Sequence, residues 1–459
     1  MSEKAVSENR SENIMGTMPV GRLLFTMAWP AILSMIISSL YNIVDSIFVA
    51  KVSEDALTAI SLVYPVQMLV IAFSVGTGVG TSSLIARRLG AKRFKDAEEA
   101  AGTGFRLPFI NWLPFLLFGI FGSEPFMSFY AKGNAYIHDA GLSYIRITTI
   151  LCVFLMLEVM IEKILQGQGN MVAPMICSLS GALCNIILDP ILIFGLLGFP
   201  ALGVTGAAIA TVTGQILSLM IGLYMLFGRN NQVRVELKGF KWSLRAVKEI
   251  YAVGFPSIVM QSIGTVMNLS LNAIIMEISK TGVAVLGAYF KLQSFIFMPC
   301  FGLNQGALPI FGYNYGARNK ERLMQAFRTT LFAAFTVMIL GALLFQLFPD
   351  KLLMLFDASE EMLSVGVPAL RTISLCFIPA AFGIICSTMF QATGHGFWSL
   401  YASLIRQLIG IVPIAYILSG KFGLSGVWMS FPLSEILGTL FAVIFISRLY
   451  NKEIKYMNE

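Results

Sequence analysis

Charged side chains are scarce in this chain. Only 12% of its 459 residues are Asp, Glu, Lys or Arg, whereas 56% are apolar. A soluble protein of average composition has about 25% charged and about 45–50% apolar residues, so we expect most of the surface to face lipid. A hydrocarbon core about 30 Å thick needs roughly 20 apolar residues per crossing, which leaves room for about twelve membrane helices.

Histidine is almost absent, and the six cysteines lack a metal-binding spacing. Two His and no CxxC pair argue against a metal centre built from these side chains. The cysteines fall inside apolar segments, where free cysteine usually packs as a small apolar residue. Nor does the sequence pair a nucleophile with a base, so we predict that the protein is not an enzyme and needs no cofactor beyond a coupling ion.

The net charge of +7 follows from where the basic residues lie. They cluster at 87–95, 229–248, 318–328 and the C-terminal end, whereas the connections at 53–56 and 356–361 are acidic. This alternation is the positive-inside pattern of membrane proteins. It predicts a multi-pass protein of a bacterial plasma (inner) membrane with both termini in the cytoplasm, and membrane lipid rather than nucleic acid as the partner.

The chain is built from two copies of one six-helix unit. The segment MAWPAILSMIISSLYNIVDSIFVAKVSEDALTAI at 27–60 aligns without gaps to VGFPSIVMQSIGTVMNLSLNAIIMEISKTGVAVL at 253–286. Further matches follow in the same order: 146–170 with 371–395, and 203–217 with 423–437. An even number of helices gives both copies the same orientation, so we predict an all-α integral membrane fold of twelve transmembrane helices in two parallel six-helix repeats.

The predicted division of the chain follows from the repeat and the charge pattern. It comprises a cytoplasmic tail at 1–22, an N-lobe of six helices at 23–228, a cytoplasmic linker at 229–248, a C-lobe of six helices at 249–450 and a cytoplasmic tail at 451–459. Two such lobes in one chain predict a monomer that transports by alternating access around a cleft between the lobes.

Two acidic residues fall within predicted membrane helices of the first repeat. A charged side chain at the bilayer centre costs roughly 2.5–3.5 kcal/mol on insertion scales, so each needs a reason. Asp45 lies in YNIVDSIFVA and Asp189 in CNIILDPILIFG, at similar expected depths. Asn185 is one turn before Asp189, and Pro190 frees the carbonyl of Ile186. These oxygens suit Na⁺ or a shared proton, and the second repeat has no acid at either position.

Other charged residues within the membrane give weaker signals. Glu158 lies deep in the fourth helix and is a candidate proton relay, whereas Glu162, one turn later, is expected to be solvated near the helix end. Arg406 and Glu435 lie near mid-depth on consecutive helices. Because either charge alone would be costly, we predict a structural ion pair.

The repeat, the loop LGAKRFKDAEEA at 89–100 and the motifs YNIVD and NIILDP together resemble the multidrug and toxic compound extrusion (MATE) family. The resemblance implies a V-shaped, two-lobe antiporter that exports cationic, lipophilic drugs in exchange for Na⁺ or H⁺. It also implies that Asp45, Asn185 and Asp189 form an N-lobe cation-coupling site, which a threonine of the sixth helix completes; Thr211 in GAAIAT is the matching residue.

The expected function is therefore multidrug efflux of amphipathic cations, an activity that confers antibiotic resistance. Aromatic rings attract organic cations and methionine adapts to varied shapes. The residues predicted to line the substrate cleft are Tyr41, Asn42, Gln67, Asn268, Asn272, Tyr289 and Gln293. The alternatives are a lipid-linked oligosaccharide flippase of the same superfamily and, from another class, a membrane-embedded enzyme.

Overall fold

A computed structural model describes residues 13–228, 231–235 and 242–457. Throughout these ranges the regular elements are helices. Nine helices there are long and apolar enough to cross a membrane, and two bent helix pairs raise the number to 11. One of the nine, Gly396–Tyr456, is 61 residues long and is broken at Gly423, so it supplies two crossings. The predicted twelve-helix fold is confirmed.

The twelve membrane helices are numbered α1–α12 in chain order. Those of the first repeat are α1 Val20–Ala50, α2 Glu54–Gly90, α3 Phe94–Tyr130, α4 Ala135–Ile150 with Cys152–Gly167, α5 Val172–Phe194 and α6 Val204–Leu226. Those of the second are α7 Leu244–Met276, α8 Lys280–Gly316, α9 Lys320–Leu347, α10 Glu360–Ser374 with Phe377–Thr393, α11 at 396–422 and α12 at 424–452.

Equivalent positions of the two repeats have the same local structure. Ser53 caps α2 by accepting a hydrogen bond from the backbone of Ala56, and its counterpart Ser279 caps α8 in the same way. Such a cap contributes about 1 kcal/mol to helix stability. Gly203 before α6 has φ 54°, ψ −129°, and Gly423 before α12 has φ 58°, ψ −137°. Only glycine adopts this backbone readily, so both turns depend on it.

The chain forms two compact units whose boundaries fall inside α1 and α7. The first contains Asn13 and Leu33–Gly254, and the second contains Ile14–Ile32 and the chain from Phe255 onward. The early part of α7 thus packs with the first unit, and the early part of α1 packs with the second. The predicted boundary in the 229–248 linker differs because hydropathy locates a connection but not the helices against which a segment packs.

Glycines explain why these helix parts change units. A Cβ at Gly80 of α2 would lie 2.1 Å from the carbonyl oxygen of Ile250 in α7, within the first unit. A Cβ at the equivalent Gly306 of α8 would lie 2.9 Å from the backbone nitrogen of Ala28 in α1, within the second unit. Small residues allow helix backbones to approach closely, and here they do so at matching positions of both repeats.

Candidate functional site

The two intramembrane acids of the first repeat meet inside the first unit. Asp189 is fully buried on α5, and its carboxyl group lies near that of Asp45 on α1, close enough for the two charges to interact. The Oδ1 atom of Asp45 is shielded from solvent and has no hydrogen-bond partner among the described residues. Because two neighbouring carboxylates repel each other, this arrangement favours a shared proton or a bound cation.

Asn185 connects this acidic pair to α6. It is 2% exposed, and its Nδ2 donates to Asp189 Oδ1 at 3.3 Å and to Thr211 Oγ1 at 3.4 Å. One helical turn separates Asn185 from Asp189, so both side chains lie on the same face of α5. The four residues of the predicted cation-coupling site thus come together from three helices. Their oxygens are the hard ligands that a small alkali cation prefers.

Two tyrosines lie close to the acidic pair. Tyr144 of α4 is 3% exposed and accepts a hydrogen bond of 3.1 Å from Gln67 Nε2 of α2. Tyr144 and Tyr41 are both within electrostatic reach of Asp45 and Asp189. The sequence analysis missed Tyr144 because it lies before the bend in α4, and only the folded packing brings this turn toward α1.

A cavity of about 180 Å³ lies between α1, α4, α5 and α6, and Asn185 and Thr211 of the acidic pair's surroundings belong to its lining. Polar groups line much of it: Ser38, Tyr41, Glu158, Glu162, Ser178, Asn185, Thr211 and Gln215. Close contact of Gly181 with Gly214 brings α5 and α6 together, because a Cβ at Gly181 would lie 3.1 Å from the carbonyl oxygen of Gly214. The cavity therefore belongs to the interior of the first unit.

Both glutamates of α4 face this cavity, and the expectation for one of them needs correction. Glu158 has one carboxylate oxygen, Oε2, that is shielded and lacks a hydrogen-bond partner in the described part of the chain. Glu162 was expected to be solvated, yet it lines the same cavity and accepts a 2.8 Å hydrogen bond from Ser178 Oγ. The reason is that α5 runs alongside this turn of α4 and covers it.

The residues predicted to line a substrate cleft fall in different surroundings. Tyr41, Asn42 and Gln67 belong to the first unit, where Asn42 is exposed and the other two are half-buried. Asn268, Asn272 and Gln293 of the second unit are half-buried, and Asn272 Nδ2 donates to Asn268 Oδ1 at 2.6 Å.

Tyr289 is the exception among the predicted cleft residues. Its side chain is fully buried, with the rings of Phe345 and Phe431 edge-on at centroid distances of 6.3 and 5.7 Å. The ring therefore belongs to the core of the second unit and does not face an open cleft. A polar phenol within an apolar segment is a poor guide to exposure, because its ring packs as an apolar group.

In the second unit, the buried Glu435 pairs with the half-buried Arg406. Arg406 Nη1 lies 3.4 Å from Glu435 Oε1, with side-chain exposures of 25% and 7%. Arg406 falls in a π-helical segment, Ile405–Ile411, inside α11. Such bulges occur frequently at functional sites. The pairing agrees with the sequence prediction.

Comparisons with known proteins agree with this architecture. The MatE family model matches residues 30–191 and 256–417, one match in each repeat. The chain is 25% identical to an FAD transporter of Shewanella oneidensis over 427 residues, which is 91% of this chain and 92% of the relative. It is also 24% identical to the multidrug export protein MepA of Staphylococcus aureus over 430 residues, 93% of this chain and 94% of that protein.

Solved structures show the same fold. An outward-facing multidrug resistance MATE family transporter of the MOP superfamily superposes with a TM-score of 0.88 at 28% identity, covering 97% of this chain and all of that one. A MOP superfamily transporter from Pyrococcus furiosus, whose reversed binding-pocket polarity suggests a different function, gives 0.85 at 27% identity and covers 96% of this chain and 99% of that chain.

The molecule is thus a multi-pass membrane protein of the two-repeat transporter class. Because the family model covers most of both repeats, the chain belongs to the MatE family of multidrug transporters.

Proposed function

We propose that this protein is an antiporter of a bacterial plasma membrane that exports amphipathic, mostly cationic organic compounds by alternating access, driven by Na⁺ or H⁺. The observation that carries the proposal is the proximity of Asp45 and Asp189 inside the first unit, where Asn185 donates a hydrogen bond to Asp189. A buried acidic pair needs a positive counter-charge, and a transported ion or proton supplies one that can leave.

The coupling ion is proposed to bind at Asp45, Asn185, Asp189 and Thr211. Binding neutralises the pair and stabilises one conformation of the first unit, while departure of the ion favours another. A ligand shifts such an equilibrium only by its difference in affinity for the two states. The second repeat has no acid at the positions equivalent to Asp45 and Asp189, so one lobe would carry this coupling.

The test is accumulation of ethidium in efflux-deficient bacteria that express the wild type, Asp45→Asn or Asp189→Asn at matched membrane levels. Asp139→Asn is the matched control, since that carboxylate is 80% exposed and lies outside the site. We expect the wild type and the control to lower ethidium accumulation and both site variants to lose the effect. Imposing Na⁺ and pH gradients separately identifies the ion. Full efflux by both site variants would refute the proposal.

A second candidate substrate class comes from the relative described as an FAD transporter. A flavin nucleotide is an anion, whereas Glu158 and Glu162, which line the cavity of the first unit (the N-unit cavity), favour a positive ligand. Proteoliposomes loaded with FAD or with ethidium separate the two. Gradient-dependent release of FAD without release of ethidium would favour the nucleotide. Rescue of cells that lack a lipid-linked oligosaccharide flippase tests the third alternative.

A further inference from the structure

The N-unit cavity has a structural counterpart in the second unit, which the repeat alignment locates. The aligned segments 146–170 and 371–395 match Glu158 with Gly383, and their continuation along α5 and α11 matches Gly181 with Arg406. The aligned segments 203–217 and 423–437 match Gln215 with Glu435. Three positions around the cavity thus correspond to the surroundings of the Arg406–Glu435 ion pair.

Two contacts show that these positions are equivalent in space. A Cβ at Gly181 would lie 3.1 Å from the Cβ of Ser218, whose counterpart is Gly438. In the second unit a Cβ at Gly438 would lie 3.1 Å from the Cβ of Arg406, so the same helix contact recurs with the residue types exchanged. Gly181 thus lies beside α6 within the first unit, and Arg406 lies beside α12 within the second, so each contacts the sixth helix of its own repeat.

A further contact places the α4 glutamate position beside the same site. A Cβ at Gly383 would lie 3.6 Å from Glu435 Oε1, and the counterparts of these two residues, Glu158 and Gln215, both line the N-unit cavity. The second unit therefore has the Arg406 side chain at the position where the first unit has Gly181 and open space. Each site has an acid, Glu435 in the second unit and Glu158 in the first. The arginine is a cation that cannot leave.

The charges of the two units differ accordingly. In the second unit Glu435 is matched by Arg406. In the first unit Glu158 and Glu162 face the cavity, and the buried Lys163 is within electrostatic reach of Glu162. The Nζ of Lys163 donates to Gln166 Oε1 at 2.8 Å. One lysine offsets one glutamate at most. The shielded Oε2 of Glu158, without a partner among the described residues, is left beside a cavity large enough for an ion.

We propose that the N-unit cavity binds a monovalent cation, Na⁺ or a proton, between Glu158 and Glu162, at the position that the Arg406 guanidinium fills in the second unit. The site is distinct from the Asp45–Asp189 pair but continuous with it, because Asn185 and Thr211 belong to that pair's surroundings and also line the cavity. It is a second binding site for the exchanged ion (the second station). Relative to the acidic pair, it lies toward the ends of α4 and α5 that the connection between Gly167 and Val172 joins. In this respect it rests on the proposed function.

Several titratable groups surround the two glutamates. Tyr41 of α1, Lys163 of α4 and Cys177 of α5 are within electrostatic reach of one or both glutamates. Asp189 adjoins the cavity through its hydrogen bond with Asn185, and Asp45 lies near Asp189. Lys163 is the only one of these that carries a positive charge. A bound cation would therefore compete with Lys163 for Glu162 and would meet no competing side-chain cation at Glu158.

The experiment measures cation binding directly, on full-length protein in lipid nanodiscs. Equilibrium binding of radiolabelled Na⁺ is compared for the wild type, Glu158→Gln, Glu162→Gln and Asp45→Asn, with the exposed Glu360→Gln as matched control. We expect two classes of site. Loss of an ionised ligand in Glu158→Gln or Glu162→Gln should lower the Na⁺ affinity of one class of site about tenfold or more. The other class, which Asp45→Asn weakens, should be unchanged in these two variants.

The proton is distinguished by infrared difference spectra recorded between low and high pH. If the cation is H⁺, wild-type protein binds no Na⁺, and Glu158→Gln should remove one carboxyl band while Asp45→Asn removes another. Should Glu158→Gln leave both measurements unchanged while Asp45→Asn alters one, the second station is refuted and the proposed function stands. If Asp45→Asn also changes nothing, both ideas fail.

A transplanted ion pair gives an independent test. The triple variant Gly181→Arg, Gln215→Glu and Ser218→Gly places in the first unit the ion pair that the second unit already holds, together with a glycine at the position equivalent to Gly438, which accommodates Arg406. We expect this variant to elute as folded monodisperse protein and to lose cation binding at the Glu158 class alone. Full retention of that class in folded variant protein would overturn the proposal, whatever the outcome for the single glutamate variants.

Discussion

The Arg406–Glu435 pair gives the sharpest stability prediction. Glu435 is the more enclosed partner, with 7% of its side chain exposed against 25% for Arg406. Replacing Arg406 by Leu leaves the carboxylate buried without its base, and breaking a buried pair costs about 3–5 kcal/mol. Glu435 can escape this cost only by taking up a proton.

The proton makes the loss depend on pH. Protonating an ordinary glutamate costs about 3.7 kcal/mol at pH 7 and about 1 kcal/mol at pH 5. Arg406→Leu should therefore lower the free energy of unfolding by about 4 kcal/mol at pH 7, which corresponds to a melting temperature lower by roughly 10 °C. At pH 5 both losses should be much smaller. The loss of stability is larger at pH 7 because the Glu435 carboxylate without its arginine is then charged, whereas at pH 5 it takes up a proton more easily.

The assay is thermal unfolding of purified protein at pH 7 and pH 5. Arg328→Leu, which removes an exposed arginine, is the matched control. In Arg406→Leu with Glu435→Gln the buried charge is gone, so most of the pH 7 loss should be recovered. The reasoning is refuted if Arg406→Leu melts like the wild type at pH 7, if its loss is as large at pH 5, or if the double variant is no more stable than the single one.

Two further predictions concern the acidic pair and the glycine contacts. Thr211→Val removes a hydroxyl oxygen near Asn185 at almost constant volume, so the cation concentration for half-maximal efflux should rise about tenfold; Thr213→Val is its control, and equal values for the two would contradict the role of Thr211. Gly80→Ala puts a methyl group 2.1 Å from the Ile250 carbonyl and should destabilise the first unit by about 1–3 kcal/mol. Gly287→Ala meets no atom within 4 Å and should melt like the wild type.

Much of the fold could be predicted from the sequence because lipid imposes a simple rule on it. Every backbone polar group in the membrane must be satisfied internally, so each long apolar segment becomes a helix. The repeat then predicts the order and orientation of the helices, and the serine caps and the two glycines of positive φ recur at the aligned positions. Hydropathy does not determine which neighbour a helix packs against, and for this reason the exchanged ends of α1 and α7 could not be predicted.

The candidate site was predictable only in part, for a related reason. Asp45 and Asp189 stand out because an acid in an apolar segment is costly wherever it lies. Glu162 and Tyr144 do not stand out, since one lies near a helix end and the other is an amphipathic ring. The surroundings of Glu162 depend on α5, and those of Tyr144 depend on the bend in α4. A single helix gives the depth of such a residue, but only the packed bundle shows what covers it.

The comparison of the two repeats explains why one unit can be suited to an exchangeable ion and the other not. Duplicated units begin with the same helix contacts, and the contacts of Gly181 and Arg406 with the sixth helix of each repeat remain alike. At these positions the second unit holds its positive charge covalently, in Arg406, and pairs it with Glu435. The first unit has glycine and an open cavity there, so its glutamates need a cation from solution. An ion that drives transport must be able to leave, and only the first arrangement allows that.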